Sequence, residues 1–218
     1  MEGKPLVFIC IPTLGSIRVE LVRALFGWQT HPDYDVRFYF PQGMLPLDSA
    51  RNHCVQKFIE LSNHEDDRLW FIDDDIVPPP DALNIMLDHN RDIVGLLCFM
   101  VKPDDKGQLV PVPIAMRYAP GNRLTVFFEG QGLTEVDAIG GGCVMIKRKV
   151  YETIGGRPYE FHYYPDGNLS LVGDYDFCQK AQKAGFKIHV DFAHLCGHIK
   201  AIDLKAMNDL MVQLSIGK

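Results

Sequence analysis

Residues 68–75 read Arg68-Leu69-Trp70-Phe71-Ile72-Asp73-Asp74-Asp75, an apolar run that ends in three carboxylates. The apolar part suits a buried strand. Strand side chains alternate between faces, so Asp73 and Asp75 are expected on one face and Asp74 on the other. Two carboxylates on one face repel and lose hydration unless a cation lies between them. Mg²⁺ or Mn²⁺, with oxygen ligands, meets that demand and keeps positions free for phosphate oxygens. Ile76-Val77-Pro78-Pro79-Pro80 then stops the strand ahead of a helix over Asp81–His89. At the carboxyl end of a strand in an α/β sheet, such a triplet occupies the edge where these sheets take ligands. The plainer alternative is a solvated acidic turn before a helix N-terminus, where negative charge is favourable anyway.

The 218 residues, 47% of them hydrophobic, suffice for one substantial core, and the chain is read as a single domain over 1–218. A net charge of −6 argues against a wide grip on nucleic acid or anionic lipid, so no stable nucleic-acid binding is expected. A nucleotide held through a metal remains compatible, because the cation supplies the missing positive charge. Cys10, Cys54, Cys98, Cys143, Cys178 and Cys196 are dispersed with no CxxC pair, which excludes a zinc knuckle or disulfide framework as the reading. Buried free thiols in a reducing compartment, the cytoplasm, are expected instead. Leu6–Ile11 is too short for a signal peptide or membrane span, and no later run is longer, so no transmembrane segment is expected.

Working outward, the first half alternates strands and helices. Leu6–Ile11 reads as a strand, followed by a helix from an N-cap at Ser16 to about Trp28. Val36–Phe40 is a second strand, and a helix from Asp48 or Ser49 to Leu61 carries Val55, Phe58 and Ile59 as its apolar stripe. Ile93–Phe99 follows the Asp81–His89 helix as another strand. This order predicts an α/β fold with a mainly parallel sheet flanked by helices. The second half, from about residue 101, is more irregular and antiparallel. Val110–Tyr118 and Leu124–Phe128 form a hairpin about Pro120-Gly121-Asn122, and Val144–Ile146 and Val150–Ile154 give a strand and a short helix. Pro158–Val172 shows no period and reads as a functional loop. Asp174–Ala184 is a helix, Lys187–Val190 and His194–Cys196 are strands, and Ile202–Leu214 is a final helix.

Four further features fall near the same sheet edge. Pro12-Thr13 follows the first strand, where an ordinary βα turn is the better reading of the pair taken alone. Arg51, in the first turn of a helix, is either solvent-facing or able to neutralise a diphosphate by bidentate hydrogen bonds. Asp174 and Asp176 begin a helix, where acidic residues are good caps; one of them, not both, can also serve as a general base. His198 leaves an apolar strand after a glycine and can complete a coordination sphere begun by Asp75.

Together these residues resemble glycosyltransferases of the GT-A fold, particularly those like family 2, over most of the chain. Ile11-Pro12-Thr13 looks like the first strand and its nucleotide-contacting loop, and Asp48-Ser49-Ala50-Arg51-Asn52-His53 like the helix whose arginine lies near the donor. Phe71-Ile72-Asp73-Asp74-Asp75 looks like the DxD motif, whose first aspartate reaches the ribose and whose last binds the metal. Gly140-Gly141-Gly142 is similar to the glycine-containing segment that leaves room for the transferred sugar. The resemblance implies Asp174 as the catalytic carboxylate and Asp73, Asp75 and His198 as metal ligands. It implies Pro12, Thr13, Arg51, Asp73, Asp74 and Gly141 as the donor site, within a nucleotide-binding half (1–100) and an acceptor- and metal-completing half (101–218). The implied reaction is metal-dependent transfer from a nucleoside-diphosphate sugar, a UDP- or GDP-sugar foremost, to an acceptor hydroxyl. Phe161, Tyr163 and Tyr164 would close over the donor, stack on an acceptor sugar or anchor their loop. One departure is plain: Gly173 stands where the family's glutamate precedes the aspartate.

Two other readings compete. Asp73-Asp74-Asp75-Ile76-Val77 also fits the DxDx(T/V) pattern of haloacid-dehalogenase-type phosphatases, with Asp73 as nucleophile. That strand normally opens such domains, whereas here two βα units precede it. A non-catalytic nucleotide-sugar-binding module is the other reading, favoured only by Gly173.

Overall fold

The computed structural model describes residues 3–121, 123–200 and 212. The chain opens with β1 (Leu6–Cys10), α1 (Val19–Gly27), β2 (Asp35–Tyr39), α2 (Leu47–Leu61) and β3 (Arg68–Ile72). Then come β4 (Ile76–Val77), α3 (Ala82–His89) and β5 (Ile93–Leu97). Short strands follow: β6 (Phe99–Pro103), β7 (Leu109–Pro113), β8 (Ala115–Ala119), β9 (Arg123–Val126), β10 (Leu133–Val136) and β11 (Ala138–Ile139). The remainder is β12 (Cys143–Lys147), α4 (Arg148–Ile154), β13 (His162–Tyr163), β14 (Leu169–Leu171), α5 (Gly173–Lys183), β15 (Ile188–Leu195) and β16 (Gly197–His198).

The central sheet has seven strands in the order β10-β15-β5-β12-β3-β1-β2. β2, β1 and β3 run parallel, as do β5 and β15. β12 is antiparallel between β3 and β5, and β10 antiparallel on β15. The sheet is thus mixed and mostly parallel, as an α/β reading requires, with β12 inserted from the second half of the chain. Its insertion places the start of β12 beside the carboxyl end of β3.

Period-two alternation in β3 sets the two layers. Leu69 and Phe71 pack with Phe58 of α2, Tyr159 and Phe177 of α5, whereas Trp70 and Ile72 pack with Leu21, Trp28 and Met86 on the opposite face. Every β3 residue is at most 2% exposed. Burial of a side chain of this size is worth about 2 kcal/mol, so β3 is firmly held where its carboxyl end meets the site.

Several boundaries differ from the sequence reading, for local reasons. α1 starts at Val19, because Thr13 Oγ1 bonds the Ser16 carbonyl and Arg18 is extended, so Ser16 does not cap the helix. α2 starts at Leu47, which places Asp48 within its first turn. The Ile93–Phe99 run divides at Cys98, and Val110–Tyr118 divides at Ile114, whose N–H bonds the Cys98 carbonyl at 2.8 Å. Lys187–Val190 and His194–Cys196 join through β15, whose register shifts between Asp191 and Leu195. Pro158–Val172 contains the β13–β14 hairpin. β4 and β16 were not foreseen: Ile76 and Val77 pair with His198 and Gly197. The helix expected over Ile202–Leu214 lies, Val212 apart, outside the described residues. All six cysteines are free and buried, and no described helix is long and apolar enough to cross a membrane.

His189 on β15 gives the fold a pH dependence. Burial, aided by Arg91, holds its imidazole below the ordinary value, and cross-strand Glu135 offsets this only in part. A depressed folded value means stability that is complete above the unfolded value, about 6.5, and lost as pH falls through the folded one. The melting temperature should therefore drop on acidification below about pH 6.5, and His189→Asn should flatten that part of the profile. An unchanged slope in the variant would contradict the assignment.

Candidate functional site

The carboxyl edge of the sheet gathers four separate segments. β3 stops at Ile72 and a tight turn follows, closed by the Ile76 N–H on the Asp73 carbonyl at 3.0 Å. The alternation expected to carry through Asp75 therefore ends before it. The Asp73 N–H donates to the Gly142 carbonyl at 3.0 Å, joining this turn to the segment before β12. α2 and α5 present Arg51 and Asp174 from the layer that covers Phe71.

Arg51 is only 3% exposed and its guanidinium is shared between carboxylates. NH2 lies 3.1 Å from Asp73 Oδ1, and NH1 pairs with Asp174 Oδ1. The Gly141 N–H donates to Asp174 Oδ2 at 2.9 Å. The Phe71 and Tyr159 rings each have their centroid 5.9 Å from Arg51 Cζ. Arg51 is thus neither solvent-facing nor free to embrace a diphosphate; two carboxylates and two rings already hold it. A Cβ at Gly141 would stand 2.4–2.6 Å from guanidinium atoms, so the clearance at this glycine accommodates Arg51 rather than a sugar. Removing one partner of such a buried pair typically costs 3–5 kcal/mol, because the other charge is left uncompensated.

Asp75 looks elsewhere. The β4–β16 ladder returns His198 beside it, with Nε2 3.4 Å from Asp75 Oδ1. His198 Nδ1 donates to the Phe99 carbonyl at 2.5 Å. That bond occupies Nδ1 and orients the ring so that Nε2 is the nitrogen facing the carboxylate. Lys200 Nζ pairs with Asp75 Oδ2, so a protein cation answers the charge there. Neighbouring ligands on an octahedral metal with bonds of about 2.1 Å lie about 3 Å apart, close to the spacing of these two atoms. Asp75 and His198 therefore fit a divalent cation. Asp73 is turned to Arg51 rather than to this pair.

Between these groups lies a cleft of about 320 Å³, bordered by Asp48, Arg51, Asp73, Asp174, His198 and Lys200. Asp48, Lys200 and the Phe99 carbonyl were not singled out in the sequence. Asp48 could have been noticed as a carboxylate one helical turn before Arg51, whereas Lys200 and Phe99 carry no local signal. Pro12 and Thr13 lie at the same edge but not on the cleft. Thr13 Oγ1 is occupied in its own turn, by the Ser16 carbonyl and the Gly15 N–H, while its backbone bridges to Gln42. The Asp74 carbonyl accepts from the Arg18 N–H at 3.2 Å, tying the turn to the start of α1. Asp176 parts company with Asp174: it pairs with His162 Nε2 at 2.9 Å and, together with Glu160, with Lys180, which fastens the loop to α5.

No family model matches the sequence, and neither does any curated protein. Solved structures match the fold. A197 from STIV superposes with a TM-score of 0.56 at 17% identity, covering 89% of this chain and 86% of that one. GalNAc-T7, solved with UDP, GalNAc and Mn²⁺, gives 0.53 at 11% identity, with 91% and 44% coverage. This chain thus spans less than half of that protein's length. The catalytic domain of Drosophila β1,4-galactosyltransferase 7, in complex with xylobiose, gives 0.52 at 12% identity, with 90% and 71% coverage. The α/β architecture is that of the GT-A glycosyltransferases among these neighbours. Fold likeness by itself carries no activity.

A double-mutant cycle tests the Arg51–Gly141 fit. Gly141→Ala should cost about 2 kcal/mol by overpacking, a fall of about 4–8 °C in melting temperature for a chain of this size. In an Arg51→Met background the added methyl should cost much less. Additive losses would show that the clearance serves something other than Arg51.

Proposed function

We propose that this chain is a metal-dependent glycosyltransferase that moves a sugar from a nucleoside-diphosphate donor, a UDP- or GDP-sugar, to an acceptor hydroxyl. The Asp75–His198 pair beside the cleft carries the reading, because an imidazole nitrogen oriented by its bond to Phe99 and a carboxylate oxygen stand 3.4 Å apart, a donor pair suited to a divalent cation. The GT-A fold and the position of the pair at the sheet's carboxyl edge support it. The neighbours solved with UDP and Mn²⁺ or with a sugar ligand lend the donor class and the metal.

In this reading Asp75 and His198 hold Mn²⁺ or Mg²⁺, with Asp73 adjoining. A bound divalent ion supplies positive charge where the departing diphosphate becomes negative. The protein's own residues supply position. Arg51, fixed between Asp73 and Asp174, keeps both carboxylates at the cleft and holds α2, β3 and α5 in register. Pro12, Thr13 and Asp74 shape the loops that receive the nucleoside, and the backbone at Gly141 anchors Asp174. Residues 1–218 act as one domain, with the exposed Tyr163 and Tyr164 on the acceptor side. The phosphatase reading needs Asp73 as a free nucleophile, and the ion pair to Arg51 opposes it.

Thermal melting with UDP or GDP, with and without Mn²⁺, tests the donor site. One diphosphate should raise the melting temperature only with Mn²⁺, and Asp75→Ala should abolish the rise. At 100 times Kd the stabilisation is about 2.7 kcal/mol. Absence of a shift with either nucleotide would overturn the reading. Lys200 gives a separate check, since its ammonium must leave Asp75 for a metal to enter. Lys200→Ala should tighten Mn²⁺ binding measured by calorimetry by a few fold, matching an exposed ion pair of about 1 kcal/mol. Weaker binding in that variant would show that the lysine supports the metal site instead.

A further inference from the structure

The cleft contains a carboxylate that the reading above leaves idle. Asp48 is 8% exposed and borders the cleft together with Asp174 and Gly173. Its Oδ1 accepts from the Ser49 N–H at 2.8 Å, a bond local to the first turn of α2. Oδ2 is met by Arg157 NH2 at 3.9 Å, and the Arg157 side chain is 60% exposed. A carboxylate oxygen held only by a long contact to an exposed arginine can be met by water or a ligand group.

Asp48 lies against Gly173 at the wall of the cleft. A Cβ built on Gly173 would lie 3.4 Å from Asp48 Cβ and 3.6 Å from Tyr159 Cβ. Asp48 is thus in van der Waals reach of the point from which a side chain at 173 would grow. Asp174, by contrast, has Oδ1 engaged by Arg51 and Oδ2 by the Gly141 N–H. To take a proton, Asp174 must release one of these partners; Asp48 has an oxygen ready.

We propose that Asp48 binds the acceptor hydroxyl and takes its proton. The inference rests on the glycosyltransferase reading and gives that reaction an in-line course. The acceptor oxygen bonds to the anomeric carbon while the anomeric C–O bond breaks, its electron pair leaving with the diphosphate. The hydroxyl proton passes to Asp48 Oδ2. The carboxylate that position 173 lacks is supplied across the cleft, from α2.

Transfer to water allows a test without a known acceptor. UDP release is measured for a panel of UDP-glucose, UDP-galactose and UDP-N-acetylgalactosamine and for GDP release from GDP-mannose, all with Mn²⁺. Asp48→Asn, which keeps shape and the Ser49 hydrogen bond, should slow release about 100-fold, the usual contribution of a general base. The melting shift with nucleoside diphosphate and Mn²⁺ should stay as in the wild type. Asp48→Ala/Gly173→Glu should recover part of the lost rate by returning a carboxylate from the facing wall. Release unchanged in Asp48→Asn overturns the inference while leaving the transferase reading intact. Loss of the diphosphate-dependent shift in that variant also overturns it, by showing a role in donor binding or folding. Failure of the wild type to release diphosphate from any of the panel overturns it as well. Failure of the wild type even to bind diphosphate with Mn²⁺ removes the transferase reading itself.

Discussion

The buried Arg51 guanidinium is the constraint on which this edge of the molecule depends. A cation at 3% exposure cannot rest in a protein interior without carboxylates, and it finds Asp73 at the end of β3 and Asp174 at the start of α5. The same group requires a residue without a side chain at 141, which brings the start of β12 against it. One charge therefore fixes the positions of four segments that are far apart in sequence. Such a cluster rewards a single arrangement, because any displacement strands a charge in low dielectric.

The cleft divides into two electrostatic regions. Around Arg51 one guanidinium holds two carboxylates within the protein. Around Asp75 the pairing is looser: Lys200 is an exposed side chain at a carboxylate whose other oxygen faces His198 Nε2. A rigid region suits positioning, and a region whose cation can be exchanged suits ligand entry. Asp48 belongs to neither: it borders the cleft with only a long contact to the exposed Arg157.

Much of this was legible in the sequence where chemistry and local pattern coincide. The apolar run into Asp73-Asp74-Asp75 announced a strand delivering carboxylates to a sheet edge, and the βαβ order announced the class of fold. His198 was legible too, as a histidine leaving a strand that returns to that edge. What stayed hidden depended on long-range pairing. Two residues, Ile76 and Val77, are too few to show a period, so their ladder with Gly197 and His198 left no local trace. The burial of Arg51 was hidden because the residues that bury it lie far along the chain, at 141, 159 and 174. The space at Gly141 was visible as a glycine, but whether it served sugar or guanidinium could be decided only by seeing what lay opposite.

The insertion of β12 has a kinetic consequence. β5 has two sheet neighbours, β12 and β15, and both are made from residues beyond 140. When the first hundred residues have left the ribosome, β1, β2 and β3 can pair, but β5 has no edge to join. The sheet stays open at β3 until residue 147 emerges, and closure then spans about a third of the chain. Synthesis that stalls in that interval leaves the apolar run Ile93–Leu97 without its partners, the kind of unpaired strand that invites aggregation. A chaperone that recognises extended apolar segments would find its target there, on the nascent chain, before any part of the cleft exists.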